Sequence, residues 1–478
     1  MMSSLTRRLS IPVWSMCACL CLLLVCSGVR ALESNVWGPY ASKPSPPQKA
    51  ELYFYSPTSD SLLFDKQKEI VLYCHAGLRS VGLRWTVARN MFKQPFLTGV
   101  AQAQPANLFI IRIPTAKLFP GFYDVRVLFN SGDVKEMDGI CTFGYRVSEM
   151  PIRSSRPVDF EQFWANAKAE LAKVPLAAEV RPLQTFGKKE IDAYNLEHAS
   201  LPADYDPTGH RVEEVEAAKV SFAGVGGLRM YGWLAKPKGD GRFPALLVLP
   251  GAGFSARPIP LEQARHGYLA FDLQVHGQDV DLPGKYPLLP GYYTEPIFTP
   301  TSAYYYYRVY LNCIQAINYL VSRPDVDPTR IAIAGGSQGG RLSIVLAALD
   351  HRVAASVPAI AHNAYLPYLE WAKASNAAKP PQDGMDLPMP PALPAIPEHL
   401  CLAYYDILNF APDVVCPVYM NVGLVDPVSP PSGVFAVYQR LGSKIKQITP
   451  LPGLGHDWSG EFDRRAWRWL DGQLKNRP

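Results

Sequence analysis

The feature that most constrains the fold is a regular alternation of apolar strands and helices in the second half of the chain. Near-continuous apolar runs such as PALLVLPG (244–251) and YLAFDLQVHG (268–277) predict buried strands, and segments of helical periodicity such as YYRVYLNCIQAINYLVSRP (306–324) separate such runs. Strands that are apolar on both faces are typical of a parallel sheet with helices on both sides. We therefore predict a doubly wound, mostly parallel α/β sheet that binds ligands at the carboxyl ends of its strands.

The region before this alternation has a different pattern. Short runs of alternating or β-branched residues, such as EIVLYCHAG (69–77), are separated by turn residues. They predict an Ig-like β-sandwich in an extra N-terminal domain, residues 32–150, ahead of a second domain at 157–478. Three aromatic residues of the first region could bind a sugar if exposed or fill the sandwich core if buried: Trp85, Tyr53 and Tyr55.

The first 31 residues predict a secretory signal peptide. They begin with Arg7 and Arg8, continue with an apolar stretch from about Ile11 to Val25, and end in Ala31, a small residue suited to cleavage. The alternative is an uncleaved N-terminal anchor. A cleaved chain would be secreted or periplasmic, and no later run of about 18 apolar residues predicts a membrane span.

The charge of the chain gives no indication of a polyanionic partner. There are 47 Lys and Arg residues against 42 Asp and Glu, a net charge of +5, but the predicted signal peptide holds three of the basic residues and no acidic one. Its removal leaves 44 basic residues against 42 acidic ones. So small an excess provides no basis for nucleic-acid binding.

Five cysteines follow the predicted signal peptide, and their spacing contains no CxxC pattern that would indicate a metal site or a redox centre. Cys74 and Cys141 lie in strand-like runs of the same region. They are either a disulfide formed in an oxidising compartment or a pair of buried free thiols.

The stretch GGSQGG at residues 335–340 lies between a predicted strand and a predicted helix. A phosphate-binding loop would need a lysine and a hydroxyl residue after its second glycine, where this chain has Arg341 and Leu342, and the G-x-G-x-x-G spacing of a dinucleotide loop is also absent. The stretch does fit G-x-S-x-G, which holds a serine at a sharp strand-to-helix turn with its hydroxyl exposed above the sheet. Ser337 is therefore the predicted nucleophile.

A serine hydroxyl needs a base to remove its proton, and that base is usually a histidine oriented by a carboxylate. His456 follows the last predicted strand and is the predicted base. Asp426 ends the preceding strand, CPVYMNVGLVD (416–426), and is the predicted acid; its alternative role is to cap the turn before Pro427. Asp457 adjoins the histidine and is the weaker candidate.

Two backbone N–H groups are expected to hold the oxyanion of the acyl group. One is the amide of Gln338, directly after the serine. The other comes from the loop after the third strand of such a sheet, LPGAGFSARP (249–258), where small residues let Ala252 or Gly253 approach the acyl oxygen, and we select Ala252. Each such donor stabilises a transition state by ~3 kcal/mol.

Together these motifs resemble the acetyl xylan esterase and cephalosporin C deacetylase family, carbohydrate esterase family seven. The similar stretches are GGSQGG, GLVDPVSPP around Asp426, GH at 455–456, HGQ at 276–278, YYYYRVY at 304–310 and DFEQFW at 159–164. The resemblance extends from about Pro157 to the C terminus. It implies an α/β-hydrolase fold and the triad Ser337, Asp426 and His456. It also implies an oxyanion hole that includes the Gln338 amide, and removal of small acyl groups, chiefly acetyl, from sugar hydroxyls without a metal or other cofactor.

Three stretches depart from the usual family pattern. The usual Arg-Gly-Gln is His276-Gly277-Gln278, the usual His-Glu is His456-Asp457, and the usual His-Gly-Tyr is Pro250-Gly251-Ala252. None of them alters the triad, so hydrolysis is expected. They leave open the preference for acetyl over other small acyl groups. Family members often form closed homo-oligomers, which the extra N-terminal domain of this chain could block.

The sequence thus predicts a secreted serine esterase that acts on acetylated carbohydrates such as xylan or xylooligosaccharides. One alternative is a serine peptidase of the same fold, although the chain lacks the long propeller-like repeats of the prolyl peptidases. Another is a carbohydrate-binding surface protein with a vestigial hydrolase domain, against which the intact triad speaks.

Overall fold

The computed structural model describes residues 52–76, 82–131, 134–198, 211–253, 256–277, 279–281, 296–379, 382 and 387–475. The predicted signal peptide lies outside these ranges. Within them, no helix is both long enough and apolar enough to cross a membrane.

The strands are β1 (Leu52–Tyr55), β2 (Leu63–Phe64), β3 (Glu69–Ala76), β4 (Gly82–Arg89), β5 (Leu97–Gln104), β6 (Leu108–Pro114), β7 (Gly121–Ser131), β8 (Val134–Tyr145), β9 (Glu179–Val180), β10 (Gln184–Phe186), β11 (Val215–Ala223), β12 (Arg229–Pro237), β13 (Phe243–Leu249), β14 (Leu269–Gln274), β15 (Val326–Gly336), β16 (Val353–Ala359), β17 (Val418–Gly423) and β18 (Lys446–Leu451). The helices are α1 (Phe160–Leu171), α2 (Lys188–His198), α3 (Leu261–Arg265), α4 (Tyr305–Ser322), α5 (Gln338–Leu349), α6 (Leu366–Ala377), α7 (Pro397–Leu402), α8 (Ile407–Phe410), α9 (Pro431–Arg440) and α10 (Gly460–Leu474).

The N-terminal strands form one sheet folded upon itself, in the order β1-β3-β6-β5-β4-β7-β8-β2. Strand β5 pairs with both β6 and β4 and so joins the two halves. The rings of Phe109 on β6 and Phe129 on β7 lie 5.4 Å apart between centroids, because the buried faces of the two halves meet in a common core. This is the predicted β-sandwich.

The sandwich residues considered for sugar binding separate into two groups. The Trp85 side chain is in the core, only 8% exposed, and a Cβ on Gly99 would lie 2.2 Å from its ring, so glycine makes room for the indole. Tyr53 and Tyr55 are on the surface, 49% and 41% exposed. The core interpretation is therefore correct for the tryptophan and wrong for the two tyrosines.

All the cysteines that follow the predicted signal peptide are free, buried thiols. Cys74 of β3 and Cys141 of β8 both lie in the sandwich core, close enough for the charge of one thiolate to act on the other. Burial raises the pKa of the Cys74 thiol to about 12, which makes the thiol unreactive. Of the two alternatives for this pair, the structure contains the buried thiols.

The second sheet has the order β10-β11-β12-β14-β13-β15-β16-β17-β18, with β9 beside β11. The pairs β11–β12 and β12–β14 are antiparallel, whereas the strands from β14 through β13 to β18 are parallel to their neighbours. The predicted doubly wound, mostly parallel sheet is therefore confirmed.

Both faces of this sheet are covered, which explains its continuous apolar strands. On β13, Leu246 and Val248 belong to a core cluster with Phe462 and Leu470 of α10, on one side. The alternate residue Leu247 belongs to the larger cluster that includes the apolar residues of α4 and α5. Successive side chains of a strand point to opposite faces, so helices on both sides require apolar residues at every position.

The sandwich and the second sheet share that larger apolar cluster. The rings of Phe122 on β7 and Phe435 on α9 lie 4.9 Å apart between centroids. The division at 32–150 and 157–478 stays a prediction, because packing between the two parts is continuous.

Candidate active site

Ser337 occupies a strained turn between β15 and α5. Its backbone has φ 56° and ψ −113°, a conformation that residues with a side chain seldom adopt. The turn presses against β13: a Cβ on Gly335 would lie 2.6 Å from the carbonyl oxygen of Leu249, and one on Gly339 would lie 2.2 Å from it. Glycine is needed at both positions because nothing larger fits, and this close packing explains the G-x-S-x-G pattern.

Ser337, His456 and Asp426 form one hydrogen-bonded chain. Nε2 of His456 is 2.9 Å from Oγ of Ser337, and Nδ1 of His456 is 2.8 Å from Oδ2 of Asp426. The Asp426 carboxylate can only accept, so Nδ1 carries the proton in the neutral imidazole and Nε2 accepts from the serine hydroxyl. This is the arrangement in which a histidine can take the serine proton.

Asp426 also has the turn-capping role considered as its alternative. Its Oδ1 accepts hydrogen bonds of 2.8 Å from the backbone N–H groups of both Val428 and Ser429, while Oδ2 faces His456. The residue is 1% exposed. The turn therefore fixes the carboxylate plane that orients the imidazole.

Asp457 has a different partner. Its Oδ1 accepts a hydrogen bond from the backbone N–H of Trp458, its immediate neighbour, and its contacts do not include the His456 ring. It remains outside the hydrogen-bonded chain.

Sequence reasoning did not assign a role to His362, which the structure brings beside the triad residues. It follows β16, and its backbone N–H donates to the carbonyl oxygen of Ser337 at 3.1 Å. Burial and the nearby charges of Arg341 and His456 lower the pKa of His362 to about 4, so the imidazole is neutral at neutral pH. The available sequence signal was its position at the carboxyl end of a strand adjacent to the serine strand.

The two predicted oxyanion donors belong to different segments of the chain. Gln338 is the first residue of α5, where backbone N–H groups have no acceptor within the helix and the helix dipole favours negative charge. Ala252 is exposed on the loop that follows β13. The Gln338 side chain ties the two together, since its Nε2 donates to the carbonyl oxygen of Gly251 at 3.3 Å. The donor roles themselves stay predictions.

Among the described residues, no group of three or more His, Cys, Asp or Glu side chains is arranged to hold a metal ion. The site brings together a serine hydroxyl, an imidazole and a carboxylate at the carboxyl ends of parallel strands. Residues in this arrangement can carry out acyl transfer.

A sequence model of the acetyl xylan esterase family matches residues 192–473, which is more than half of the chain and includes Ser337, Asp426 and His456. The chain belongs to the acetyl xylan esterase family. It is therefore a carboxylic ester hydrolase with an α/β-hydrolase fold, and the predicted family and fold class are confirmed.

The acetyl xylan esterase family membership agrees with comparisons to individual proteins. Acetyl esterase Axe7A of Xylanibacter ruminicola is 28% identical over 377 residues, covering 74% of this chain and 75% of the relative. The acetyl xylan esterase structure from Paenibacillus sp. R4 has a TM-score of 0.51 at 26% identity, covering 68% of this chain and 98% of its own. Acetyl xylan esterase 1 from a Thermoanaerobacterium species shares the fold, with a TM-score of 0.50, 22% identity and coverage of 68% and 96%.

Proposed function

We propose that this protein is a secreted or periplasmic serine esterase that removes acetyl or similar small acyl groups from acetylated carbohydrates such as xylan or xylooligosaccharides. The hydrogen-bonded chain from Asp426 through His456 to Ser337 is the observation that carries the proposal. Membership of the acetyl xylan esterase family and the names of the acetyl esterase from Xylanibacter ruminicola and the acetyl xylan esterase from Paenibacillus sp. R4 support the substrate class. Export rests on the predicted signal peptide at residues 1–31.

The first half of the reaction transfers the acyl group to the enzyme. Nε2 of His456 accepts the proton of the Ser337 hydroxyl as Oγ attacks the ester carbonyl carbon, and the carbonyl π electrons move to oxygen. The backbone amides of Gln338 and Ala252 stabilise this oxyanion. When the intermediate collapses, the bond to the sugar oxygen breaks. That oxygen takes the proton from His456 and leaves as a free hydroxyl group.

The second half returns the enzyme to its starting state. His456 accepts a proton from water, whose oxygen attacks the carbonyl carbon of acyl-Ser337 and forms a second oxyanion. Collapse breaks the bond to Oγ of Ser337, releases the carboxylic acid and returns the proton to Oγ. In both halves the Asp426 carboxylate stabilises the imidazolium and keeps its Nε2 directed at the reacting oxygen.

Replacement of Ser337 tests the assignment. Ser337→Ala should reduce kcat for acetate release by about 10⁴-fold or more, because no other group in the site replaces the nucleophile. The substrates are acetylated xylan, xylooligosaccharide acetates, cephalosporin C and 4-nitrophenyl acetate. The matched control is Asp457→Asn, which changes the carboxylate next to His456 but leaves the hydrogen-bonded chain intact, and this variant should keep most of the wild-type activity.

Three outcomes would contradict the proposal. Substantial 4-nitrophenyl acetate hydrolysis by Ser337→Ala would exclude Ser337 as the nucleophile. Failure of the wild-type protein to react with a serine-directed fluorophosphonate would indicate a vestigial site. Faster turnover of an amide than of the ester with the same acyl group would favour the peptidase alternative.

A further inference from the structure

The loop after β13, residues 250–253, is anchored at its start by the buried Pro250 but has no buried side chain after that residue. Its sequence is PGAG, Ala252 is exposed, and a Cβ built on Gly253 would meet no atom within 4 Å. Gly253 has φ 137°, a conformation in which other residues are strained. Since no buried side chain fixes the loop after Pro250, its position there depends on hydrogen bonds to its carbonyl groups.

One support comes from Tyr306, the second residue of α4. Its hydroxyl donates to Oε1 of Gln338 at 2.8 Å, and this hydrogen bond fixes the orientation of the Gln338 amide. The other end of that amide, Nε2, donates to the Gly251 carbonyl oxygen at 3.3 Å. The hydroxyl is thus connected through one side chain to the start of the loop.

A second support comes from the adjacent residue, Tyr305. Its hydroxyl is hydrogen-bonded to Nδ1 of His276, which is buried with 3% exposure. The imidazole is also hydrogen-bonded to the backbone of Gly253. Burial lowers the pKa of His276 to about 3, so the ring is neutral and has one donor and one acceptor nitrogen. The hydrogen bond to Gly253 raises the pKa of His276, which is the effect of a bond in which the ring is the donor. The imidazole therefore donates to the Gly253 carbonyl oxygen and accepts from the Tyr305 hydroxyl.

Tyr306 is itself held rigidly. The guanidinium carbon of Arg341 lies 3.6 Å from the centroid of the Tyr306 ring, and Nε of Arg341 donates to the hydroxyl of Tyr310 at 2.6 Å. Arg341 is 2% exposed, and its Nη2 donates to the carbonyl oxygen of Tyr405 at 3.3 Å. A cation between tyrosine rings in this way keeps them in one orientation. The Tyr306 hydroxyl therefore has little freedom to point elsewhere.

The geometry points to Tyr305 and Tyr306 as positioning residues that clamp the loop 250–253 and so hold the second oxyanion donor at the right distance from Ser337. Tyr306 acts through Gln338 on Gly251, and Tyr305 acts through His276 on Gly253. The inference rests on the proposed function, because it assigns the role of the loop to that reaction. A displacement of about 1 Å in such a group can reduce a rate by about 10²-fold, and a clamp prevents it.

The experiment compares Tyr→Phe variants at neighbouring positions of α4. Tyr306→Phe and Tyr305→Phe should each lower kcat for 4-nitrophenyl acetate about tenfold with little change in KM, because the loop positions the oxyanion and not the bound ester. Inhibition by phenylboronic acid, which forms a tetrahedral adduct with the serine, should weaken by the same factor. The matched control is Tyr307→Phe, which removes a hydroxyl that donates to Glu170 of α1 at 2.7 Å, far from the loop, and both values should stay at the wild-type level.

A double variant tests the route through Gln338. In a Gln338→Leu background, whose backbone N–H is retained, Tyr306→Phe should cause no further loss of kcat, whereas Tyr305→Phe still should. The proposed clamp is excluded if Tyr306→Phe keeps the wild-type kcat and boronic acid inhibition, as Tyr307→Phe should. It is also excluded if Tyr306→Phe changes only the midpoint of thermal unfolding. If Tyr305→Phe does not fold, the result with Tyr306→Phe decides. Activity in Ser337→Ala would instead overturn the proposed function, so the two failures are distinguishable.

Discussion

At the scale of single residues, the serine turn combines two constraints that oppose each other. The backbone of Ser337 is in a region that suits glycine, yet a glycine there would have no hydroxyl for the reaction. The strain persists because flanking glycines let the turn pack against β13 and because the Ser337 N–H donates to the Ala359 carbonyl oxygen at 3.0 Å. Strain of this kind costs about 1 to 3 kcal/mol and is typical of reactive sites.

The strain predicts an unusual order of stability among variants of Ser337 that lack its hydroxyl. The free energy of unfolding should be about 1 kcal/mol higher for Ser337→Gly than for Ser337→Ala. Glycine relieves the backbone strain of the folded state, and the greater flexibility of glycine in the unfolded chain cancels only part of that gain. Equilibrium urea denaturation of the two variants measures the difference. Since both lack the hydroxyl, the comparison does not depend on activity. An alanine variant as stable as the glycine variant would show that the turn is unstrained.

At the scale of structural elements, helices α6 and α9 connect the sandwich to the active-site edge of the second sheet. Asn90, in the turn after β4, is at the centre of this contact. Its Oδ1 accepts from the Ser432 hydroxyl of α9 at 2.9 Å, and its carbonyl oxygen accepts from the Tyr368 hydroxyl of α6 at 2.6 Å. Its Nδ2 donates to the buried Asp124 carboxylate at 2.8 Å. Helix α9 begins five residues after Asp426, so the sandwich braces the element that follows the predicted catalytic acid.

Removal of the Asn90 side chain should therefore weaken the whole protein. Asn90→Ala leaves Ser432 and Asp124 each without one buried partner, and the free energy of unfolding should fall by about 2 to 3 kcal/mol. The control is Gln102→Ala, at an exposed position of β5, with a loss below about 0.5 kcal/mol. Urea denaturation followed by tryptophan fluorescence gives both values. Equal stability of the two variants would mean that the sandwich contributes little through this contact.

At the scale of the whole molecule, buried titratable groups couple stability to pH with opposite signs. Folding lowers the pKa of His362 to about 4 and that of His276 to about 3, in both cases mainly through burial. The unfolded imidazole has a pKa of about 6.5 and so binds a proton more readily than the buried one. The contribution of the buried imidazole to the stability of the fold is therefore highest above about pH 6.5 and falls as the pH drops below that value. Burial raises the pKa of the Asp406 carboxyl to about 6, so its protonation favours the folded state between about pH 6 and pH 4.

The two histidines should lower the stability of the protein on mild acidification, and the carboxyls of Asp406, Asp124 and Asp272, whose pKa burial raises, should oppose this loss. Each histidine accounts for a loss of about 2 kcal/mol between about pH 7.5 and about pH 5, against a gain of about 1 kcal/mol from Asp406. His362→Asn should reduce the total loss by about 2 kcal/mol, measured by urea denaturation at both pH values. His351→Asn removes an exposed histidine and should keep the wild-type pH dependence. A His362→Asn protein with that same dependence would refute the role of His362.

Much of the fold and the candidate site was predictable from local pattern. The parallel sheet follows from strands that are apolar at every position, and the serine turn follows from glycines that nothing larger could replace. The burial of Trp85 and the exposure of Tyr53 and Tyr55 were not predictable. Alternation in a strand defines two faces but does not say which face is covered.

By itself, the sequence determined the class of fold and the chain order of Ser337, Asp426 and His456, and it predicted which of them is the nucleophile. Periodicity, glycine spacing and order along the chain are local or one-dimensional properties that a single sequence contains. Only the tertiary structure decided that Asp426 divides its two oxygens between a turn and an imidazole, that His362 lies beside the triad, and that Tyr305 and Tyr306 reach the loop 250–253. These contacts join segments far apart in the chain, and their geometry depends on how side chains pack when the sheet, the helices and the sandwich come together.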